Sequence, residues 1–120
     1  MPTSASPQFW HAHVYFDAHL RGSALRLREA IATLTEPGLT LGTVNEGPRG
    51  PHLAPSYEIA FPTAALGRVV AWLAFNHGEH SVLLHPLTDD EVLDHTARAF
   101  WLGERLPLDV KKLEAKANAL

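Results

Sequence analysis

From Phe9 to Phe16 the chain alternates, with Trp10, Ala12, Val14 and Phe16 on one side and Phe9, His11, His13 and Tyr15 on the other. A period of two is the signature of a strand with one face against a core. Leu27, Ala30, Ile31 and Leu34 then recur at helical spacing behind Ser23, a candidate N-cap, and Pro37-Gly38 ends that helix. Leu39 to Asn45 reads as a second strand, and Glu46 to Pro55 is a breaker-rich loop that carries His52. Ser56 to Phe61 alternates again, with Tyr57, Ile59 and Phe61 facing one way and Ser56, Glu58 and Ala60 the other.

Thr63 opens a second helix with Leu66, Val69, Val70 and Leu73 on one face and Gly78 at its end. Ser81 to His85 forms a short fourth strand that stops at Pro86. Thr88 and Glu91 have the spacing of a capping box ahead of a third helix, with Leu93, Ala97 and Phe100 inward and Gly103 as its stop. The order β-α-β-β-α-β plus a helix predicts an α+β, ferredoxin-like antiparallel sheet covered by helices on one face. In domain terms, residues 1–8 read as a disordered N-terminal segment, 9–108 as the domain and 109–120 as a peripheral tail of weak helical periodicity.

At 120 residues the chain is long enough to bury a core without a structural metal or disulfide. It contains no cysteine, which excludes thiolate metal sites, iron–sulfur clusters and a cysteine nucleophile and agrees with a reducing, cytoplasmic setting. No apolar run reaches the length of a membrane span, and the N-terminus lacks the pattern of a signal peptide. With a formal net charge of −3 and arginines scattered among acids, the chain has no electrostatic footprint for nucleic acid.

Eight histidines are the compositional excess. His11 and His13 share a strand face, so two imidazoles leave the sheet together. We expect the first and third strands to run parallel in the middle of the sheet with the fourth antiparallel beside the first. That places His11 near His85 and brings the His52 loop to the same end, with His13 and Glu58 farther along the face. Three imidazoles, or two and a carboxylate, with open positions remaining, suit non-haem Fe(II) or a catalytic zinc. For the other histidines structural roles weigh more: His19 and His77 read as surface or helix-end residues and His80 as structural. His95, behind Asp94, fits a solvated helix pair as well as a substrate contact.

His11-Ala12-His13-Val14-Tyr15-Phe16, Gly50-Pro51-His52 followed five residues on by Tyr57-Glu58, Ser81 to Pro86, and Asp94-His95-Thr96 before Trp101-Leu102-Gly103-Glu104 occur here in one order. Over residues 9 to 108 the chain thereby resembles the DOPA 4,5-dioxygenase family of small extradiol-type dioxygenases. It departs from that pattern at Leu53, where family members usually carry proline. The resemblance implies ring cleavage of a catechol such as DOPA by O2 at Fe(II), with zinc able to substitute in purified protein. It implies His11, His52 and His85 as metal ligands, His13 as the acid/base, and Tyr15, Glu58 and His95 as substrate-pocket groups, Glu58 being an alternative ligand. A small aromatic molecule and O2 are then the partners, and a homodimer the expected assembly.

Two other readings compete. One is a non-enzymatic ferredoxin-like dimer whose sheet face is buried against its twin, and the other a metal-dependent hydrolase or isomerase on the same scaffold. Metal loss on chelation separates the first from the enzyme, and oxygen consumption separates the second.

Overall fold

The computed structural model describes residues 7–119. The expected disorder of residues 1–8 falls mostly on residues outside that range. Five strands, β1 (Phe9–Tyr15), β2 (Thr40–Asn45), β3 (Ser56–Pro62), β4 (Val82–Pro86) and β5 (Phe100–Leu102), form one sheet in the order β2-β3-β1-β4-β5. Every pairing is antiparallel. Helices α1 (Arg21–Ala32) and α2 (Leu66–Asn76, entered through a 3-10 turn at Thr63–Ala65) cover one face. The shorter α3 (Glu91–His95) and α4 (Val110–Asn118) belong to the C-terminal third of the chain.

The α+β, ferredoxin-like architecture is the one read from the periodicities, and the two-residue alternation explains its two faces. Ala12, Val14, Tyr57, Ile59, Phe61, Val82 and Leu84 point into the core, against Ala24, Leu27 and Ile31 of α1 and Val69 and Leu73 of α2. The intervening residues His11, His13, Tyr15 and His85 therefore leave the opposite face. Tyr57 is wholly buried yet satisfied, because its hydroxyl donates to the Ala24 carbonyl at 2.8 Å.

Three local expectations are corrected. β1 and β3 run antiparallel, with Phe9 opposite Pro62 and Tyr15 opposite Ser56. A β-α-β unit makes β1 and β2 parallel to each other, and β3, joined to β2 as a hairpin, lies reversed between them. Ser23 does not cap α1: Asp17 accepts the Leu20 N–H at 2.9 Å and the helix begins at Arg21. The Ser23 hydroxyl instead meets His80 Nε2 at 2.9 Å, which fixes the buried His80 as a structural residue.

The third correction concerns the segment after Pro86. The long helix expected to reach Gly103 is only five residues, and Phe100-Trp101-Leu102 pairs with Leu84, Leu83 and Val82 as a fifth strand. An aromatic-rich triplet gains more from cross-strand packing than from continuing a helix. Asp90, not Thr88, caps α3 by accepting the Leu93 N–H at 3.0 Å.

Thr88 is free for another task. Its N–H and hydroxyl both donate to the Asp94 carboxylate, at 2.7 and 2.8 Å, and Arg98 donates to the same group at 3.2 Å. Asp94 is 1 % exposed and pins the short helix from beneath. Asp94→Ala is expected to cost about 2–4 kcal/mol, because a buried N–H and hydroxyl lose their acceptor. A fall in the thermal midpoint of roughly 10 °C checks this; a midpoint within a degree or two of wild type would contradict it.

Candidate metal centre

The sheet fixes two of the histidines against each other. His11 of β1 lies directly opposite His85 of β4, and the ring centroids are 5.3 Å apart. His13, two residues on, points the same way, and its Nε2 is 2.9 Å from His85 Nε2. The antiparallel β1–β3 pairing puts the start of β3 at the far end of β1 from where it was expected, yet His52 still arrives. A tight turn in which Arg49 and His52 exchange backbone hydrogen bonds, both at 2.9 Å, folds the loop back over the face. The His52 ring then sits 4.1 Å from that of His13.

The fifth imidazole is His95 of α3, whose ring lies 4.0 Å from His85 and 6.0 Å from His52. Donor nitrogens of His11, His13 and His85 fall within 4.8 Å of one another, and so do those of His13, His52 and His95. His13 is common to both groups. The trio expected as ligands, His11, His52 and His85, is brought together only through it.

Each ring except His13 is held from behind through Nδ1. Glu58 lies 3.1 Å from His11 Nδ1, the Pro86 carbonyl 2.8 Å from His85 Nδ1, the Glu91 carbonyl 2.7 Å from His95 Nδ1, and the Tyr15 hydroxyl 2.6 Å from His52 Nδ1. A carbonyl or carboxylate at Nδ1 assigns the proton to that nitrogen and leaves Nε2 with a free lone pair, the arrangement that metal-binding histidines use. Tyr15, expected at the substrate pocket, is instead a buried anchor behind His52, stacked on Trp101 with centroids 5.7 Å apart. Glu58 lines the cavity and is paired with His11.

The donor set fits a divalent transition metal. His85 Nε2, with its proton committed to Pro86 on the other side, faces His13 Nε2 at 2.9 Å. Two imidazole nitrogens, each about 2.1 Å from one ion and at right angles, would lie about 3.0 Å apart. Without a metal the same contact is satisfied by a proton on His13 Nε2, so the pair suits either state.

Burial favours the neutral form of four of these imidazoles. It holds His13 well below the usual histidine range, with the surrounding imidazoles adding to the effect. It pushes His52 down to about 4 and His85 to about 3, and it lowers His11 against the opposing pull of Glu58. The same burial raises Tyr15, which stays a phenol. Neutral imidazole is the ligand form.

A consequence for stability follows in the metal-free protein. The unfolded histidines titrate near 6.5 and the folded ones near 4 and 3, so between those values the unfolded chain holds more protons. Stability should be level above about pH 7 and fall as the pH drops from about 6.5 toward 4. Thermal midpoints taken in chelator across that range check this, and a curve flat down to about pH 5 would contradict it.

The five rings open onto a cavity of about 350 Å³, in the range of small-molecule sites. Its far wall comes from Leu87 and Thr88 after β4, the Arg49–Pro51 turn, and Lys112, Leu113 and Lys116 of α4. Residues 109–120 read from their pattern as a peripheral tail, yet α4 closes the cavity, and among its described residues Leu113 is the buried apolar position that signals this packing.

The family model for the Dopa 4,5-dioxygenase family matches residues 10–112, a span that includes all five histidines. The chain belongs to the DOPA 4,5-dioxygenase family. It is 38 % identical over 118 residues to a DOPA 4,5-dioxygenase of Amanita muscaria, covering 92 % of this chain and 52 % of that one. An uncharacterized 21.2 kDa protein of Botryotinia fuckeliana is 39 % identical over 94 residues, covering 69 % of this chain and 51 % of the relative. The family member described here thus spans about half the length of the curated relatives it matches. A crystal structure from Nostoc punctiforme, described as a "putative dioxygenase", superposes with a TM-score of 0.90 at 36 % identity, covering 97 % of this chain and 99 % of the other. Among the described residues no helix is long and apolar enough to cross a membrane.

Proposed function

We propose that the protein is a non-haem Fe(II) dioxygenase that opens the ring of a catechol beside its two hydroxyls. The observation that carries this reading is the convergence of five imidazoles on one cavity, four of them braced through Nδ1, in a member of a dioxygenase family. His11, His13 and His85 all stand on paired strands, the stiffest part of the site, and we assign them as the ligands. This revises the expected set, with His13 taking the ligand position given to His52. Three protein ligands leave open positions for both catechol oxygens and for dioxygen.

Fe(II), when bound, supplies a Lewis acid for the catechol oxygens and a route for electrons to dioxygen. The remaining work belongs to the chain. His52 and His95 stand on a loop and a helix over the ligand trio, within reach of a bound ring. His95 Nε2, with Nδ1 donating to Glu91, is a ready acceptor for the proton a catechol hydroxyl gives up. His52, neutral and hydrogen-bonded to the Tyr15 phenol, is the second group that can hold a proton and return it as the oxygen–oxygen bond breaks. In the overall reaction one ring carbon–carbon bond and the O–O bond break, and both oxygen atoms enter the product. No external reductant is needed, because the catechol supplies the electrons.

Anaerobic equilibrium dialysis against Fe(II) tests the metal half of the reading. We expect about one ion per chain, released by chelator without unfolding because the core lies on the other face of the sheet. Failure to retain Fe(II) above a histidine-free control would contradict it.

A further inference from the structure

We propose that Arg49 and Lys112 form an anion clamp at the mouth of the cavity and select catechols whose side chain ends in a carboxylate. The inference deepens the function proposed above and rests on it for the catechol half of the ligand.

Six formally charged side chains line the cavity, three acids and three cations: Glu58, Glu91, Asp94, Arg49, Lys112 and Lys116. All three acids are engaged. Glu58 pairs with His11 at 3.1 Å, Glu91 with Lys116 at 3.0 Å, and Asp94 with Arg98 at 3.2 Å. Among the described residues, Arg49 and Lys112 ion-pair with no acid, and Arg49 makes only a long 3.4 Å contact with Asn45 Oδ1. The wall of the cavity therefore offers two uncommitted cations and no uncommitted carboxylate.

The two cations sit on different segments, but the backbone joins those segments beside the histidines. Arg49 is bridged to His52 in the tight turn, His52 is bridged to Leu108, and the Asp109 N–H donates to the Pro51 carbonyl at 2.8 Å. Lys112 follows one turn later, its N–H donating to the Asp109 carbonyl at 3.2 Å. The mouth is thus held in register with the imidazole that would face the ring. A substrate with its diol among the histidines and an acidic tail toward Arg49 and Lys112 satisfies both ends, and Arg49 can take the carboxylate through two N–H donors. A cationic amine tail meets two like charges there, and a neutral tail gains nothing from them.

Both cations are exposed, so the effect is solvent-screened and should depend on salt. Hydrocaffeate and its methyl ester differ in the one charge and little else. Calorimetric titration of both into the protein without oxygen, metal-free and Fe(II)-loaded, should find hydrocaffeate about tenfold tighter at low ionic strength. High salt should shrink that ratio, as should Arg49→Gln/Lys112→Gln, with Arg49→Lys intermediate. Equal affinities in the wild type, no binding of either ligand, or a ratio indifferent to both salt and the double substitution would overturn the clamp. The salt series uses the wild type alone and so stands even if the double variant does not fold. Charge selection without oxygen uptake would keep the clamp and refute ring cleavage; oxygen uptake without charge selection would do the reverse.

Discussion

His13→Ala is expected to reduce bound Fe(II) from about one ion per chain to near none and to lower turnover on the order of 10³-fold or more. His13 is the one residue shared by both groups of converging nitrogens, it is 4 % exposed, and its Nε2 already sits 2.9 Å from that of His85. Removing it leaves His11 and His85 as a two-nitrogen remnant on β1 and β4, too few donors to compete with water for Fe(II). The fold should persist, because His13 points away from the helix-covered core. Metal content by dialysis, set beside the thermal midpoint, checks both parts. If His13→Ala kept its iron and lost only turnover, His13 would be the proton carrier suggested by the family resemblance, and His52 would return to the ligand set.

The converse is expected for the two histidines that stand over the sheet. His52→Ala and His95→Ala should each retain iron, with affinity changed by no more than about tenfold, while turnover falls by about 10²–10⁴-fold, the usual scale of general acid–base groups. His95 is braced by the Glu91 carbonyl and, through its neighbour Asp94, by Thr88, so it is held in place without any help from a metal. His52 is braced by Tyr15 and by the Arg49 turn. Steady-state rates combined with metal analysis separate the roles: loss of iron in either variant would make that histidine a ligand.

Much of this site was legible because a strand alternates. His11 and His13 on one face of β1, opposite an apolar face, follow from period-two spacing alone, and the His11–His85 pairing follows once the fourth strand is set antiparallel beside the first. The route of His52 was not legible. Strand direction was misjudged, and what brings the residue over the sheet is a four-residue turn at Arg49–His52, a backbone event that no side-chain pattern announces. His95 looked like one half of a solvated helix pair, since spacing cannot say whether an Asp-His dipeptide faces water. Its burial depends on Asp94 being held by Thr88 and Arg98, partners six and four residues away whose geometry exists only once α3 stops at His95. That stop was missed because Phe100-Trp101-Leu102 satisfies a helical spacing as readily as a strand, and the free edge of β4 decides between them. Tyr15 was placed on the correct face, but its phenol turns to His52 and not to the cavity, a choice between two neighbours that periodicity cannot make.

The central claim, that the five-histidine face is a catechol-cleaving iron site, is tested most directly with an oxygen electrode. Protein reconstituted anaerobically with Fe(II) is mixed with DOPA, and then with simpler catechols, in aerated buffer. One O2 consumed per catechol, together with a yellow ring-fission chromophore and neither signal from the metal-free protein, is the predicted result. Iron-loaded protein that consumes no oxygen with any catechol offered would contradict the account and leave the imidazole cluster to a different chemistry.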